Sequence, residues 1–316
     1  MKYFLSFDVY RRRFVRPLKT SQGSWALREG IIVQLTDDGG NWGWGEIAPL
    51  PWFGSETLAE ALIFCQSWPG KIARTEIFKI CDRLPACQFG FESALAALEK
   101  HNQLKEQIID LSGLTYSWLL PAGEAALSHW KLAWQRGVRT FKWKIGVYSL
   151  QQEIQIFWEL VAALPQGAGL RLDANGGLNK ATVEAWFVAA DQTGMVEFIE
   201  QPLPPEDFEK MLALSSTYAT PIALDESVVT IAQMQSCYER GWRGIFVIKA
   251  AIAGSPRRWQ QFCLETEIDV VFSSVFETAI GRQAVLQLAA QWGNPRRAVG
   301  FGVNQWFQDG CDVHAN

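Results

Sequence analysis

The chain has 316 residues, 48% hydrophobic and 20% charged, a balance that suits a folded globular protein and excludes a disordered one. A formal net charge of −4 offers no general attraction to nucleic acid or to an anionic membrane. No apolar run reaches the ~18 residues that crossing a bilayer requires. The length exceeds one small domain and suits a large barrel with a smaller partner domain.

Met1 to Phe14 breaks into charge too early for a signal peptide. Arg11, Arg12, Arg13 and Arg16 read as a solvated strand face, because nothing basic extends the run. Ile31 to Leu35 reads as a strand, Asp37-Asp38-Gly39-Gly40-Asn41 as a turn, and Trp42 to Glu46 as the returning strand of a hairpin. Ser55 to Trp68 has helical apolar spacing through Leu58, Ala61, Leu62 and Cys65. These elements predict a small α+β capping domain over residues 1–95, completed by 303–316.

From Trp118 onward short apolar strands alternate with amphipathic helices. The strands are expected at Trp118–Leu120, Thr140–Ile145, Leu170–Leu172, Val196–Ile199, Ile222–Leu224, Ile245–Ile248, Val270–Phe272 and Ala298–Phe301. Ser149 with Gln152, and Thr230 with Gln233, have capping-box spacing, and Ser255-Pro256 places proline at a first helical position. Eight such strands predict an α/β fold, a parallel (β/α)₈ barrel over residues 96–302.

Barrel strands should be apolar, yet five successive ones end in charge: Lys142 and Lys144, then Asp173, Glu200, Asp225 and Lys249. Each lies about one strand-plus-helix unit from the last, so all occupy one layer at the C-terminal rim, where such barrels carry their chemistry. Strand alternation sends Lys142 and Lys144 to one face, and Arg171 to the face of Asp173. Three carboxylates are expected to converge there, flanked by lysines on opposite sides. Unpaired, they would repel; a hard divalent cation with oxygen ligands, Mg²⁺, resolves this. The lysines then flank a bound small-molecule carboxylate as acid and base. Asn175 and Glu226 are expected to support the ligands, and Arg171 either to orient Lys144 or the substrate carboxylate or to form a structural ion pair with a nearby carboxylate.

His101, His129 and His314 lack metal-ligand spacing, and no phosphate-binding loop or nucleophile elbow occurs. The six cysteines (Cys65, Cys81, Cys87, Cys237, Cys263, Cys311) form no C-x-x-C pair and read as reduced core thiols of a cytoplasmic protein. The fifteen tryptophans read as packing. Gly300-Phe301-Gly302 is expected to let a ligand approach the last strand.

Lys142-x-Lys144, Asp173-x-Asn175, Glu200-Gln201-Pro202, Asp225-Glu226-Ser227 and Lys249 together resemble the enolase superfamily, in its muconate-lactonizing subgroup. Thr20-x-x-Gly23, Arg28-Glu29-Gly30 and the run Gly45 to Pro51 resemble the capping domain of the o-succinylbenzoate synthase family, as do Arg171-Leu172-Asp173 and Ser273-Ser274 before Glu277. The resemblance implies that Asp173, Glu200 and Asp225 bind Mg²⁺, that Lys144 takes a proton next to a carboxylate, and that Lys249 stabilises the enediolate. It implies dehydration of 2-succinyl-6-hydroxy-2,4-cyclohexadiene-1-carboxylate in menaquinone or phylloquinone synthesis, with Ser273 and Ser274 near the substrate and the loop of Lys19 to Gly23 closing over it. N-acylamino acid racemase and dipeptide epimerase share these metal and base residues. Dipeptide epimerases carry a D-x-D pair after the eighth strand, and Gly302 to Asp309 has none. A non-catalytic metal-binding barrel is a third reading, against which the intact lysines count. The oligomeric state expected is a monomer.

Overall fold

The computed structural model describes residues 1–20, 23–102, 109–303, 306 and 307. Its first sheet is antiparallel, in the order β3-β2-β1-β4, from β1 (Lys2–Thr20), β2 (Gly23–Thr36), β3 (Trp42–Ile47) and β4 (Lys71–Ala73). The expected hairpin is β2 and β3, paired from Thr36 opposite Trp42 to Ile31 opposite Ile47. Asp37 closes its turn: Oδ1 accepts from the backbone N–H groups of Gly39 and Asn41, each at 2.9 Å. Alternation along β2 buries Ile31, Val33 and Leu35 on one face.

The basic run of β1 is solvated as expected at Arg11, Arg13 and Arg16, which are exposed, while Arg12 is half-buried. Arg11 pairs with Glu29 at 2.8 Å, but the guanidinium groups of Arg12 and Arg16 lie 3.7 and 4.9 Å from the ring centroids of Phe307 and Trp306. Two of the four arginines therefore hold the returning end of the chain, and Phe14 makes an isolated antiparallel bridge to Phe307. Residues 304, 305 and 308–316, which the expected completion of the capping domain includes, lie outside the described residues.

Helix Leu58–Gln66 starts at a reciprocal capping box between Thr57 and Glu60. Helix Pro85–Asn102 lies on β3 so closely that a Cβ at Gly45 would sit 1.9 Å from the Gly90 carbonyl oxygen. The expected division between residues 95 and 96 falls inside this helix.

The second sheet is parallel, in the order β11-β10-β9-β8-β7-β6-β5-β12: β5 (Tyr116–Leu119), β6 (Thr140–Lys144), β7 (Gly169–Asp173), β8 (Val196–Glu200), β9 (Ile222–Leu224), β10 (Ile245–Ile248), β11 (Asp269–Phe272) and β12 (Val299–Gly302). A parallel bridge from Ser273 to Gly300 brings its two edges together and closes the barrel. Each expected strand is present, with ends moved by at most about two residues. Gly300 and Gly302 allow this closure, since added Cβ atoms would lie 2.6 Å from Ser273 Oγ and 2.3 Å from the Ser117 carbonyl oxygen, and Gly300 also lines the cavity over the strand ends. No helix among the described residues is long and apolar enough to cross a membrane.

Two buried carboxylates fasten the capping elements to the barrel. Glu46 at the end of β3 accepts from the backbone N–H groups of Thr278 and Gly281, each at 2.9 Å, capping helix Ala279–Trp292. Glu92 accepts from Ser255 Oγ at 2.8 Å, at the start of helix Pro256–Glu265.

Candidate active site

Strand register assembles the site. Lys144 on β6 lies opposite Asp173 on β7, Asp173 opposite Glu200 on β8, and Glu200 opposite Ala223 on β9. Asp225, two residues beyond Ala223, therefore follows on the same face, and Lys249 leaves β10 beside it. Asp173, Glu200 and Asp225 are each 1% exposed, too buried for unpartnered charge.

The lysines supply the partners. Lys142 Nζ donates to Glu200 at 2.7 Å and lies 2.9 Å from Asp173; Lys144 Nζ donates to Asp173 at 3.0 Å and to Asn175 Oδ1. Lys249 Nζ donates to both carboxylate oxygens of Asp225. Asn175 passes the network on, its Nδ2 donating to Glu226 at 3.0 Å. Burial pushes the carboxyl of Glu200 up to about 7, and the charge of Asp173 adds to it. Burial also raises Asp225 and Glu226 against the pull of Lys249. Asp173 shows the opposite balance: burial would raise it, but Lys142 and Lys144 together hold it well below the carboxylate range.

The expected convergence of three carboxylates on one point takes a different form here. Among the described residues no three acidic side chains are turned together as a finished metal cage. The ammonium groups of Lys142 and Lys249 occupy the space between them, because buried carboxylates without a cation take the nearest one. The donor set fits a hard divalent cation all the same. Three buried carboxylates lie on adjacent strands, a lysine ammonium already bridges two of them, and Glu226 Oε2 is buried with no hydrogen-bond partner. Asp173, Glu200 and Asp225 are the residues that could hold it.

Arg171 does not join this group. Its guanidinium donates to Glu197 at 2.7 and 3.2 Å and lies over the Phe198 ring, towards the N-terminal end of the strands. The expectation that it orients Lys144 gives way to this ion pair. Ser273 and Ser274 both line the cavity, although the Ser274 hydroxyl is engaged, donating to Glu277 at 2.9 Å and accepting from the Phe276 N–H at 2.8 Å.

Gln201 contributes more than its place in the sequence suggested. It is fully buried, and its amide accepts from the N–H groups of Asp225 and Ser227 at 2.9 and 3.1 Å. It donates to Ser227 Oγ and the Leu203 carbonyl oxygen at 2.7 and 2.9 Å. This side chain fixes the turn that carries Asp225 and Glu226. The available signal was an amide between a strand-end carboxylate and a proline. Asn175 and Gln201 both have positive φ, 45° and 37°, in the segments directly after two strand ends, where strain accompanies function.

The cavity over the charged floor measures about 110 Å³ and has an apolar roof: Leu18, Trp25, Leu50, Trp52 and Phe53 from the first 53 residues, with Phe276. Two of the tryptophans thus line the site rather than merely pack the core. Phe14 stacks on Phe307 with ring centroids 4.9 Å apart and meets Trp25 and Phe276 edge-on, sealing the roof from outside. His129 is exposed, and His314 and Cys311 lie outside the described residues; Cys65, Cys87 and Cys237 are buried as expected, whereas Cys263 is half-buried and Cys81 is exposed rather than a core thiol. Of the loop from Lys19 to Gly23, residues 21 and 22 are also outside.

Residues 126–313 match the family model described as enolase C-terminal domain-like, and residues 18–98 match that of the MenC N-terminal domain. An o-succinylbenzoate synthase from Thermosynechococcus vestitus is 44% identical, over 94% of this chain and 92% of its own. The chain belongs to the o-succinylbenzoate synthase family, within the enolase superfamily. The family's member from Yersinia enterocolitica is 31% identical over 90% of this chain and 85% of its own. The crystal structure of the synthase from Thermosynechococcus elongatus, complexed with Mg in the active site, superposes with a TM-score of 0.86 at 43% identity, covering 96% of this chain and 94% of that one. A dipeptide epimerase from Enterococcus faecalis reaches a TM-score of 0.85 at 21% identity, covering 98% and 92%, a likeness of fold alone.

Proposed function

We propose that the chain catalyses the Mg²⁺-dependent dehydration of 2-succinyl-6-hydroxy-2,4-cyclohexadiene-1-carboxylate to o-succinylbenzoate, a step of menaquinone or phylloquinone synthesis. One observation carries the reading. A chain 44% identical to a synthase of that name has Lys142, Lys144, Asp173, Asp225 and Lys249 around one cavity with an apolar roof, and the buried Glu200 bonded to Lys142 beneath it. Bound by Asp173, Glu200 and Asp225, Mg²⁺ supplies positive charge to the substrate carboxylate and so makes the neighbouring proton acidic.

The residues do the rest. Lys144 takes the α-proton and returns it to the departing hydroxyl on the same face, so the bonds broken are C–H and C–O and the products are an aromatic ring and water. Asn175 holds the Lys144 ammonium from one side and Asp173 from the other, which fixes its reach. Lys249 presents its charge to the enediolate from the opposite side of the cavity. Lys142, bonded to Asp173 and Glu200, balances the ligand charges. The capping elements over residues 1–95 exclude water through Trp25, Trp52 and Phe53. All these groups come from one chain, so a single copy supplies the whole site. The free cysteines suit the cytoplasm.

Purified protein with Mg²⁺ and the cyclohexadiene substrate should yield the aromatic product, followed by its ultraviolet absorbance, and EDTA should stop the reaction. No product, together with racemisation and α-deuterium uptake by single enantiomers of N-acylamino acids in D₂O, would overturn the reading.

A further inference from the structure

Lys249 has two partners of different character. Its ammonium donates to both oxygens of Asp225 and lies 4.0 Å from the centroid of the Phe53 ring. Phe53 comes from the capping elements, in the 3₁₀ turn Pro51–Phe53, and the turn is pinned from several directions. The buried Arg28 guanidinium donates to the carbonyl oxygens of Ala48 and Pro49 at 2.5 and 2.9 Å. Ser55 Oγ accepts from the Leu50 N–H at 2.7 Å. Gly54 ends the turn at φ +94°, its N–H donating to the Pro51 carbonyl oxygen at 3.1 Å. A residue fixed this firmly over a lysine of the site is placed there by design of the turn rather than by loose packing.

A carboxylate that clasps an ammonium with both oxygens aims them at the lysine, so Asp225 must loosen its hold on Lys249 to turn an oxygen towards a divalent cation. The ring face of phenylalanine is negative and attracts a bare ammonium more strongly than one already neutralised by a carboxylate. We propose that Phe53 is a positioning residue for Lys249: its ring seats the ammonium once Asp225 turns to the metal, and thereby strengthens Mg²⁺ binding. Phe53 touches no ligand atom and acts only through Lys249. The inference rests on Asp225 being a metal ligand.

Isothermal titration calorimetry of the full chain with MgCl₂, without substrate, tests it in four proteins: wild type, Phe53→Leu, Lys249→Met and the double variant. Leucine keeps the apolar bulk and removes the ring face. Phe53→Leu should raise the Kd for Mg²⁺ about 2- to 5-fold, because the ring already touches the ammonium in the metal-free chain and only the gain on its release from Asp225 counts. In the Lys249→Met background the same substitution should leave Kd unchanged, because no ammonium remains to be seated. Should Phe53→Leu fail to fold, 3,4,5-trifluorophenylalanine at position 53 keeps the shape, drains the ring face and should shift Kd in the same direction. An unchanged Kd, or equal weakening in both backgrounds, overturns the inference and leaves the metal reading intact. Absence of Mg²⁺ binding in the wild type overturns both.

Discussion

The two ends of the barrel carry charge clusters that look alike and behave differently. At the C-terminal end, lysines partner the carboxylates of Asp173, Glu200 and Asp225. At the N-terminal end, arginines do: Arg171 and Arg297 share Glu197, and Arg297 also grips Asp269 at 2.6 Å. Arginine's planar fork makes fixed, paired hydrogen bonds and never gives up its proton, whereas the lysine ammonium is a mobile point charge that can. The barrel thus partners its carboxylates with the permanent cation at one end and with the exchangeable one at the other.

The sharpest way to break this contrast is at Lys144. Lys144→Ala and Lys144→Arg should each lower turnover by about 10²- to 10⁴-fold in steady-state assays, since arginine keeps the charge but cannot act as a base. Substantial activity in the arginine variant would erase the distinction between the two ends. Gln201→Leu should weaken Mg²⁺ binding by about 10- to 100-fold in calorimetry, because the turn that presents Asp225 loses its buried amide. Unaltered affinity would mean that the backbone alone places Asp225. Arg171→Met should cost about 1–3 kcal/mol in denaturant unfolding, with Glu197 still held by Arg297, and leave kcat and KM unchanged. A change in kcat without loss of stability would move Arg171 into the catalytic group.

The smallest effect concerns pH, and the two ends differ in sign. Glu200 has its carboxyl raised to about 7 by burial and by Asp173, so its contribution to stability is present below the ordinary value of 4.5 and is lost as pH rises through about 7. At Asp269 burial also raises the carboxyl, but hydrogen bonds from Arg297 and Asn294 outweigh it and lower it overall. Its contribution is present above the ordinary value of 3.8 and is lost as pH falls through the depressed one. Metal-free protein should lose thermal stability between pH 4.5 and about 7, and Glu200→Gln should flatten that slope. Added Mg²⁺ should abolish it. A slope that persists in Glu200→Gln would assign the effect to another group.

What could be read in the chain follows the same division. The rim charges were legible because strand period and strand-to-helix spacing put Lys144, Asp173 and Glu200 in register without knowledge of any distant residue. The destination of Arg171 was not, since parity names the face but not the neighbour. Its pairing with Glu197 occurs beside a register shift between Leu170 and Arg171, which leaves no local signature. The ring contacts of Arg12 and Arg16 left no local signature for a similar reason: their aromatic partners lie almost a whole chain away. Gln201 stood in a conspicuous tripeptide, but its work depends on the Asp225 turn folding over it.

The seal of Phe14 against Phe307 has a consequence for synthesis on the ribosome. Strands β1 to β3 emerge early and can pair at once, but Phe14, Leu18 and Trp25 are covered only as Leu119, then Phe276 and finally Trp306 and Phe307 are translated and pack on them. The nascent chain carries an open aromatic patch for most of its elongation, a surface that chaperones recognise and that promotes aggregation when crowded. Closure of the roof is thus among the last folding events, and a chain truncated before Trp306 should be synthesised as a barrel whose site stays open to solvent.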